Sequence, residues 1–485
     1  MLFSAIQACF LRLLRQPGAP MARFDDQFVE FLQKMREEGL PGLAIVTFKH
    51  YYEELLQGMT GLIPEETIVP VEGLPNAADF GEDLAQIGQR LLPKTVAIKL
   101  NGGLGTSMGL EKAKSLLKVK NGLSFLDIIA RQASISKVPL VLMNSFATRE
   151  DSLKELSKYP GISGELPTDF LQHKVPKIRQ DDWKPATSME NPSLDWCPPG
   201  HGDLYTALIT SGTLAQLLKN EYRYAFVSNA DNLGAYIDER ILGHFVSARS
   251  PFLMEVADRT EADRKGGHIA RLRDERGRFI LREAAQCSAE DWKNFQDIQR
   301  YTYFNTNNLW IDLVTLHRTM KENDNVLRLP MIRNCKTLDP RNPESTPVFQ
   351  LETAMGAAIS IFRGATAVRV SRSRFSPVKT CLDLLAVRSD LTVLTAGYHL
   401  QPNPERTLGA FKGTLDDAFY KNITEMEARF PSGPPSLVNC ASLEVRGDFS
   451  IGTNVVLNGD VKLVNESKSQ ASIPDGAVIE GLFEA

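Results

Sequence analysis

Long hydrophobic runs are missing from this 485-residue chain, although hydrophobic residues make up 43% of it. A transmembrane helix needs about 18 consecutive apolar residues, and no run reaches that length. An excess of positive charge is missing as well, because 55 Lys and Arg face 59 Asp and Glu and the net charge is −4. This balance favours neither nucleic acid nor an anionic membrane as a partner. We expect small-molecule partners, no nucleic acid and no membrane.

Cysteine is scarce, and its spacing fits no metal or redox motif. The six cysteines are scattered, with no C-x-x-C pair among them: Cys9, Cys197, Cys287, Cys335, Cys381 and Cys440. Such usage fits a reducing compartment better than an oxidising one. The sequence therefore predicts a cytoplasmic protein.

Two familiar nucleotide-binding templates are also absent from the most glycine-rich stretch, KLNGGLGTSMGLEKAKS, which begins at Lys99. The ATPase loop G-x-x-x-x-G-K-[ST] requires two glycines five apart and then a lysine, and no glycine pair here has that spacing. The dinucleotide fingerprint G-x-G-x-x-G begins at Gly103 and Gly105 but has Met108 where its third glycine belongs. These absences argue against a P-loop ATPase and against a dehydrogenase.

The same stretch nevertheless has the composition of a phosphate-binding turn. Residues 96–100 predict a short apolar strand, which the following glycines end at once. Glycines allow positive φ and let backbone N–H groups approach phosphate oxygens. Lys112, Lys114 and Lys118 follow and could neutralise those oxygens. We interpret the stretch as a nucleotide-phosphate site, although similar turns in many α/β proteins bind nothing.

The next segments indicate a β-α-β unit and a second candidate site. Residues 125–132 predict a helix, and the apolar run from Leu140 predicts a strand that would lie parallel to the first. Further on, the strand predicted over residues 224–227 runs into Asp231. A carboxylate at the carboxyl end of a strand is well placed to hold a divalent cation, and an ordinary turn aspartate is an equal alternative.

Three later segments complete the predicted core. HIARLRDERGRFILRE alternates around a turn and predicts a hairpin, whereas VFQLETAMGAAI predicts a helix that carries Glu352. SRSRFSPVKT crowds Arg372, Arg374 and Lys379 into one loop before a helix that begins near Thr380. The positive end of that helix would add to the loop's charge. The cations are either an anion clamp or a solvated face.

The two ends of the chain differ from this core. The apolar, arginine-bearing residues 1–22 predict an N-terminal extension, with an organelle-directing leader as the alternative. Residues 23–90 predict a helical region whose Phe28, Phe31 and Met35 pack in the core. Residues 91–400 would form the catalytic domain, and residues 401–485 a linker and a final domain.

The final domain is predicted from short apolar clusters that recur at nearly regular intervals after residue 443. Gly447, Gly452, Gly459 and Gly476 punctuate the clusters. Short strands with turns at this pace suggest the coils of a β-helix, and a two-layer sandwich is the alternative. An exposed end coil would be suited to packing against another subunit.

With these segments in order, the chain from about Phe24 to its end resembles the eukaryotic-type UDP-glucose pyrophosphorylases, also called UTP–glucose-1-phosphate uridylyltransferases. The motifs that carry the resemblance are KLNGGLGTSMG at Lys99, VLMNSF at Val141, FLQHKVPKI at Phe170, PPGHGDLY at Pro198, SNADNLGA at Ser228, NTNNLW at Asn305, QLETAMGAA at Gln350 and SRFSPVKT at Ser373.

The resemblance implies an α/β fold, in which a nucleotidyltransferase (Rossmann-like) mixed-sheet domain precedes a left-handed parallel β-helix. It implies the reversible formation of UDP-glucose and pyrophosphate from UTP and glucose 1-phosphate. The sugar phosphate would attack the α-phosphorus of UTP in line, with Mg²⁺ as cofactor. No thiol is needed, so we interpret Cys197 as incidental. A homo-oligomer could form through the C-terminal domain.

The resemblance also implies a role for each residue that matches a motif. Residues implied to bind UTP are Leu100, Asn101, Gly102, Gly103, Lys114, Gln172, Gly200, Asp231 and Lys379. Residues implied to bind the sugar phosphate are His201, Asn229, Ala230, Asp231, Asn307 and Asn308. Lys114 and Lys379 would be the catalytic residues. Gln172 would read the uracil edge, and Asp231 would hold the magnesium ion.

The chain departs from the family pattern at three places. Lys112 and Ala113 stand where the family usually has Gly-Pro, residues 173–175 after Gln172 are unusual, and Ala230 stands where a larger aliphatic residue is common. These departures bear on rate and nucleotide preference more than on the class of reaction.

Two other functions stay open at this point. One is a broad UDP-sugar or UDP-N-acetylhexosamine pyrophosphorylase, which the products formed from each sugar phosphate would distinguish. The other is a non-catalytic nucleotide-binding subunit. The presence of Lys114, Asp231 and Lys379 argues against the second.

Overall fold

A computed structural model describes residues 24–274 and 276–485. These residues form two compact units, each built from separate stretches of chain. The first unit contains the described residues up to Val96, Phe170–Val227 and Glu239–Val370, and the second contains Ala97–Asp169, Ser228–Asp238 and Ser371–Ala485. The expected extension over residues 1–22 lies outside the described residues. The chain enters each unit more than once. The predicted domain boundaries near residues 90 and 400 stay predictions.

In chain order, the helices of the described residues are α1 (Phe24–Glu37), α2 (Gly42–Leu56), α3 (Glu82–Leu91), α4 (Phe125–Ser136), α5 (Arg149–Leu156), α6 (Leu204–Thr210), α7 (Thr213–Lys219), α8 (Glu239–Ser247), α9 (Trp292–Phe295), α10 (Leu313–Glu322), α11 (Cys381–Arg388), α12 (Asp417–Tyr420) and α13 (Ile423–Arg429). None of these helices has the length and apolar character needed to span a membrane.

The strands of the same residues are β1 (Ile68–Val69), β2 (Thr95–Asn101), β3 (Lys118–Lys120), β4 (Leu123–Ser124), β5 (Leu140–Asn144), β6 (Asp169–Leu171), β7 (Val175–Pro176), β8 (Ile178–Arg179), β9 (Trp196–Cys197), β10 (Tyr224–Asn229), β11 (Phe252–Asp258), β12 (His268–Leu272), β13 (Phe279–Arg282), β14 (Tyr303–Asp312), β15 (Met331–Thr337), β16 (Pro347–Thr353), β17 (Thr366–Arg369), β18 (Thr392–Leu394), β19 (Leu400–Pro402), β20 (Lys412–Leu415), β21 (Cys440–Arg446), β22 (Phe449–Ile451), β23 (Val456–Val464), β24 (Ala471–Ile473) and β25 (Val478–Glu484).

The first unit contains a large mixed sheet. Strand β11 pairs antiparallel with β14 and parallel with β17. Strands β12 and β13 form an antiparallel pair, which confirms the hairpin predicted from the alternating sequence. Parallel and antiparallel neighbours in one sheet, with helices around them, give the mixed α/β fold that the sequence predicts.

The N-terminal helices α1 and α2 belong to this first unit and carry an aromatic cluster. Phe28, Phe31 and Met35 are buried, which confirms the packing predicted from their helical spacing. Phe31 lies 4.8 Å from Tyr52, measured between ring centroids. Tyr52 is fully buried, and its hydroxyl donates to the carbonyl oxygen of Trp183 at 2.9 Å. Aromatic burial of this size dominates the energetics of a local core.

The helix predicted over VFQLETAMGAAI is wrong in its first half. Glu352 lies on strand β16, which pairs with β15 on one side and β8 on the other. Val348 and Phe349 are adjacent in the chain and both buried, so the strand is covered on both faces. A strand covered on both faces loses its period-2 pattern and cannot be told from a helix by periodicity.

The second unit contains the predicted β-α-β unit. Strands β2 and β5 pair parallel, with helix α4 between them in the chain. Ser124 and Asp127 form a capping box at the start of α4, in which each side chain accepts the backbone N–H of the other. This arrangement satisfies donors that a helix start leaves unpaired, so the helix begins at Phe125, directly after β4.

The C-terminal part of the second unit consists of short parallel strands. Strands β20, β21, β23 and β25 form one four-stranded parallel sheet, and β22 pairs parallel with β24. Regularly spaced short strands with turns between them are therefore confirmed. The winding of these strands into a left-handed β-helix stays a prediction.

Helices α3 and α8 of the first unit touch backbone to backbone at two glycines. A Cβ atom on Gly88 would overlap the carbonyl oxygen of Glu239, and one on Gly243 would overlap that of Leu84. Both overlaps involve backbone atoms, so no side-chain rotation can relieve them.

We expect Gly88→Ala to lower the midpoint of thermal unfolding, because overpacking of this kind costs about 1–3 kcal/mol. Gly42→Ala at the start of α2 is the matched control, since its Cβ would meet nothing within 4 Å. Thermal melting by circular dichroism compares the two variants with the wild type. A Gly88→Ala protein that melts like the wild type would show that α3 and α8 can separate at little cost.

Candidate active site

The residues expected to bind substrates fall into two groups, one in each compact unit. The group of the second unit comprises the glycine loop (residues 102–109), Lys114, Asp231 and the cation loop (residues 371–380). The group of the first unit comprises Gln172, the histidine turn (residues 199–203) and the asparagine strand (residues 305–308).

The glycine loop folds back so that Lys114 lies beside its beginning. The backbone N–H of Lys114 donates to the carbonyl oxygen of Gly103 at 3.1 Å. Gly105 and Gly109 have φ angles of 69° and 74°, in the left-handed region that side chains disfavour. The glycines therefore permit the reversal that the sequence predicts after strand β2.

The carbonyl groups at the start of this loop are used within the protein. That of Leu100 accepts from the N–H of Ala230 at 3.0 Å, and that of Gly102 accepts from the hydroxyl of Ser145 at 3.0 Å. Ala230 is buried, so its contribution is this backbone bond to strand β2. The bond holds the turn after β10 against the end of β2 within the second unit.

The side chain of Asn101 points into the protein. It is 3% exposed, and its amide donates to Asn144 and to Ser152, both at 2.7 Å. Any contact with a nucleotide would therefore come from the backbone of Asn101. Its side chain instead joins the ends of β2 and β5.

The structure brings Lys114 and Asp231 together, although they were predicted from separate motifs. The ammonium nitrogen of Lys114 lies 2.6 Å from Oδ2 of Asp231. The side chains are 14% and 25% exposed, so both can be reached from solvent. The residue expected to bind phosphate and the residue expected to bind the metal are thus in direct contact.

The turn that carries Asp231 and the cation loop are held together through Asn232. The amide of Asn232 donates to the carbonyl oxygen of Arg374 at 3.0 Å, and its Oδ1 accepts from the N–H of Ser376 at 2.9 Å. Beside them, the N–H of Val378 donates to the carbonyl oxygen of Asp231. The backbone next to Lys379 is therefore fixed to the backbone of Asp231. Sequence reasoning missed this role of Asn232, whose only signal was its place next to Asp231.

Lys379 itself is exposed, and its ammonium lies 5.9 Å from the ring centroid of Phe375. The positive end of the helix that follows is partly offset by a carboxylate of the helix itself. The carboxylate of Asp383 accepts the N–H groups of Lys379 and Thr380 at 2.8 Å each. The start of α11 is thus already capped by an anion, because Thr380 and Asp383 form a capping box.

In the first unit, the histidine turn lies directly on strand β16. Gly200 has φ +77°, and a Cβ atom there would lie 2.8 Å from the backbone nitrogen of Thr353 and closer still to its carbonyl oxygen. The N–H of Thr353 donates to the carbonyl oxygen of Pro199 at 2.9 Å. Only glycine fits this contact, for both conformational and steric reasons.

His201 in this turn is held as a neutral imidazole. Its Nδ1 accepts the N–H of Met355 at 2.9 Å, and burial lowers the pKa of His201 to about 4. A neutral ring that accepts at Nδ1 carries its proton on Nε2. His201 can therefore donate a hydrogen bond from Nε2 at neutral pH without bringing a charge.

The asparagine strand is bent at Asn307, which has φ +60°. The register of β14 against β11 shifts at this place, as in a β-bulge. Asn305 and Asn307 bond to each other, since the N–H of Asn307 donates to Oδ1 of Asn305 and the Asn305 amide donates to Oδ1 of Asn307. The partly exposed Asn307 is thus placed where a ligand could reach it.

Asn308 is placed differently, because it is 0% exposed. Its amide donates to Oε2 of Glu255 at 3.0 Å, and the indole N–H of Trp310 donates to Oε1 of the same carboxylate at 2.9 Å. Asn308 and the buried Glu255 therefore support the strand from inside. Sequence reasoning missed Glu255, although a single carboxylate in the apolar run PFLMEVA was a signal.

Comparison with known proteins identifies the family of this chain. The family model for UTP–glucose-1-phosphate uridylyltransferase matches residues 46–458. The chain belongs to this family.

Individual relatives of the uridylyltransferase family agree. The chain is 41% identical to the UTP–glucose-1-phosphate uridylyltransferase of Hordeum vulgare over 423 residues, which is 86% of each chain. It is 39% identical to that of Saccharomyces cerevisiae over 404 residues, 81% of this chain and 78% of that one. Among solved structures, the UDP-glucose pyrophosphorylase from Leishmania major, known in open and closed forms, matches with a TM-score of 0.87 and 42% identity over 96% of this chain and 100% of that one.

Cys197 has no reactive thiolate in this member of the uridylyltransferase family. Burial raises the pKa of Cys197 to about 12, and its thiol lies against the carbonyl oxygen of Val175. A thiol of this kind stays protonated at neutral pH and packs as a small apolar group. This agrees with the interpretation of Cys197 as incidental.

We expect His201 to stay neutral in the folded protein from pH 8 to about pH 5, because its pKa is lowered to about 4. Between about pH 6.5 and pH 4 the unfolded chain binds a proton here that the folded chain does not, so stability should fall as the pH falls through this range. An NMR titration of ¹⁵N-labelled imidazoles, assigned with His201→Asn, measures the midpoint. A midpoint near the ordinary 6.5 would contradict the assignment.

Proposed function

We propose that this protein makes UDP-glucose and pyrophosphate from UTP and glucose 1-phosphate, in a reversible reaction. Membership of the uridylyltransferase family supports the proposal. The observation that carries it is the contact of Lys114 with Asp231, next to the glycine loop. A lysine, a lone carboxylate and a glycine-rich loop are the groups that a magnesium–nucleoside triphosphate requires.

The reaction joins two anions, so charge repulsion is its main obstacle. A phosphate monoester carries about −1.5 to −2 at neutral pH, and the triphosphate is also anionic. The attacking phosphate oxygen is already ionised, so the reaction needs no general base. In-line attack on the α-phosphorus would release pyrophosphate. The protein would then act by positioning and by neutralising charge.

Lys114, Lys379 and the glycine loop are the groups that would bind the phosphates. The N–H groups of Met108 and Gly109 donate to carbonyl oxygens within the loop, so the N–H groups nearer its start would be the ones that face an anion. Lys379 is exposed at the end of a loop whose backbone is tied to Asp231. Because the backbones of both lysines are tied to neighbouring segments, their ammonium groups would stay close to the charge that develops on the leaving pyrophosphate.

Asp231 is the residue that would hold Mg²⁺. Among the described residues, no group of three or more His, Cys, Asp and Glu side chains could hold a metal by itself. Mg²⁺ is usually bound through one or two carboxylates together with substrate phosphates, so a single reachable carboxylate fits it. The ion would then neutralise phosphate charge. In this structure the Lys114 ammonium is paired with the Asp231 carboxylate. When the nucleotide binds, Lys114 would turn to the phosphates.

The group in the first unit would recognise the uracil and the sugar phosphate. Gln172 would read the uracil edge, and Gly200 would allow close approach of the uridine. The neutral His201 would donate from Nε2 to the sugar phosphate. Asn229 stays a predicted contact of the sugar phosphate. Asn307 would contact the sugar, and the buried Asn308 would keep it in place through the shared strand.

Three further expectations concern the C-terminal fold, the assembly and the location of the protein. The parallel strands after residue 411 would wind into a left-handed β-helix, since the Phe449 to Ala471 pair and the Val456 to Val478 pair have the same separation along the chain. Strand β25 lies at the edge of its sheet with Val478 and Leu482 exposed, which is consistent with a homo-oligomer through this domain. The cysteine usage favours a cytoplasmic location.

The test of the function is an assay of pyrophosphate release with Mg²⁺, UTP and a panel of sugar 1-phosphates. We expect glucose 1-phosphate to be used best, and UDP-glucose with pyrophosphate to regenerate UTP. Comparable rates with galactose 1-phosphate and N-acetylglucosamine 1-phosphate would indicate a broad pyrophosphorylase instead. No product from any pair, with UTP still bound, would indicate a non-catalytic subunit.

We expect Asp231→Asn to lower turnover about a hundredfold or more at saturating Mg²⁺, because it keeps the shape of the side chain and removes the charge. Asp460→Asn, on the exposed face of β23, is the control for loss of one carboxylate. Steady-state kinetics across a magnesium titration, with thermal melting as the check of folding, gives the comparison. Near-normal turnover in an intact Asp231→Asn protein would exclude Asp231 as the metal ligand.

A further inference from the structure

His173 donates two hydrogen bonds to one carboxylate. Its backbone N–H lies 2.6 Å from Oδ2 of Asp203, and its ring Nδ1 lies 2.8 Å from Oδ1. The two residues are only 8% and 7% exposed. Asp203 stands at the N-cap of α6, yet its side chain makes no capping bond there. The carboxylate instead joins two segments that are distant in the sequence.

The imidazole of His173 is also held on its other side. Its Nε2 lies 3.0 Å from the hydroxyl oxygen of Thr210. An ionised carboxylate can only accept hydrogen bonds, so Nδ1 must carry a proton and donate to Asp203. The Thr210 hydroxyl is shared, because it also lies 3.1 Å from the carbonyl oxygen of Thr206 one turn earlier in α6. The orientation of the ring is therefore fixed by contacts at both of its nitrogen atoms.

The two segments joined by this link each carry an expected nucleotide contact. Gln172 immediately precedes His173, and Asp203 ends the histidine turn that contains Gly200. The other end of this turn is bonded to strand β16, through the N–H of Thr353 and the carbonyl oxygen of Pro199. The link between His173 and Asp203 therefore sets the place of Gln172 relative to a turn that is otherwise fixed.

We propose that the link between His173 and Asp203 determines the preference for uracil over other bases, by fixing Gln172 against the histidine turn. The inference rests on the proposed function, in which Gln172 reads the uracil edge. An amide distinguishes bases only while its donor and acceptor are held near their ideal places, and a loose support loses that discrimination. His173 is a positioning residue in this account, because it acts through Gln172.

A merely structural histidine would behave differently when it is replaced. Loss of a buried hydrogen bond without any functional role would lower the melting temperature and leave the choice of base unchanged. The useful measurement is therefore the ratio of kcat/KM for UTP to that for CTP, together with the KM values of UTP and glucose 1-phosphate. Stability alone does not separate the two accounts.

Two substitutions at position 173 each keep one of the two side-chain contacts of the ring. In His173→Asn the amide nitrogen stands near the place of Nδ1 and can still donate to Asp203, whereas in His173→Gln it stands near the place of Nε2 and reaches Thr210 instead. We expect His173→Gln to raise the KM of UTP about tenfold, the effect of about 1.4 kcal/mol, and to lower the UTP-to-CTP ratio similarly. The KM of glucose 1-phosphate should stay within about twofold, and His173→Asn should resemble the wild type.

Tyr52→Phe is the matched control in the same unit. It removes a buried hydrogen bond to Trp183 and leaves both joined segments untouched, so it should lower the melting temperature without changing the ratio. If His173→Gln does not fold, Asp203→Asn takes its place, since its amide has only one accepting oxygen where His173 bonds to both oxygens of the carboxylate. A wild-type UTP-to-CTP ratio in the folded variant would overturn the inference.

Isothermal titration calorimetry with UTP and CTP separates this inference from the proposed function. A wild-type protein that prefers UTP in binding but makes no UDP-glucose would contradict only the proposed function. A His173→Gln protein that binds UTP and CTP with the wild-type preference would contradict the inference, whatever the turnover of the wild type.

Discussion

The contact of the Lys114 ammonium with the Asp231 carboxylate is the interaction around which the candidate site of the second unit is arranged. Two elements bring the pair together. The glycine loop returns Lys114 to the end of β2 through its bond to Gly103, and the turn after β10 is held on β2 through Ala230. The cation loop is then attached to the same turn. A positive and a negative group are thus held side by side where solvent can reach both.

The candidate site of the first unit differs, because it holds neutral hydrogen-bonding groups at fixed places. Gly200 lies against Thr353 so closely that no side chain fits, and His201 stays neutral because its surroundings disfavour the charged ring. The link between His173 and Asp203 adds a second support to the same turn. Rigid neutral donors suit recognition of a base and a sugar, where hydrogen-bond geometry carries the specificity.

The polar residues of the family motifs therefore have two different roles. Some are placed where a ligand could reach them, such as Lys379 and Asn307. Others are buried and bonded within the protein, and Asn101, Asn232 and Asn308 are of this kind. A buried amide that lost its partners would cost about 1–3 kcal/mol, so these residues stabilise the fold around the candidate site. Their presence in a motif does not by itself distinguish support from binding.

The sequence by itself determined the elements whose signals are local. The strand, glycine turn and helix from β2 to α4, the hairpin of β12 and β13 and the burial of Phe31 all follow from residue spacing, and the ordered motifs identified the family. Only the tertiary structure decided that Glu352 lies on a strand, that Asn308 faces Glu255 and that Asp383 caps α11. The physical reason is that periodicity records burial along one segment, whereas the partner of a polar group is selected by packing between segments far apart in the chain.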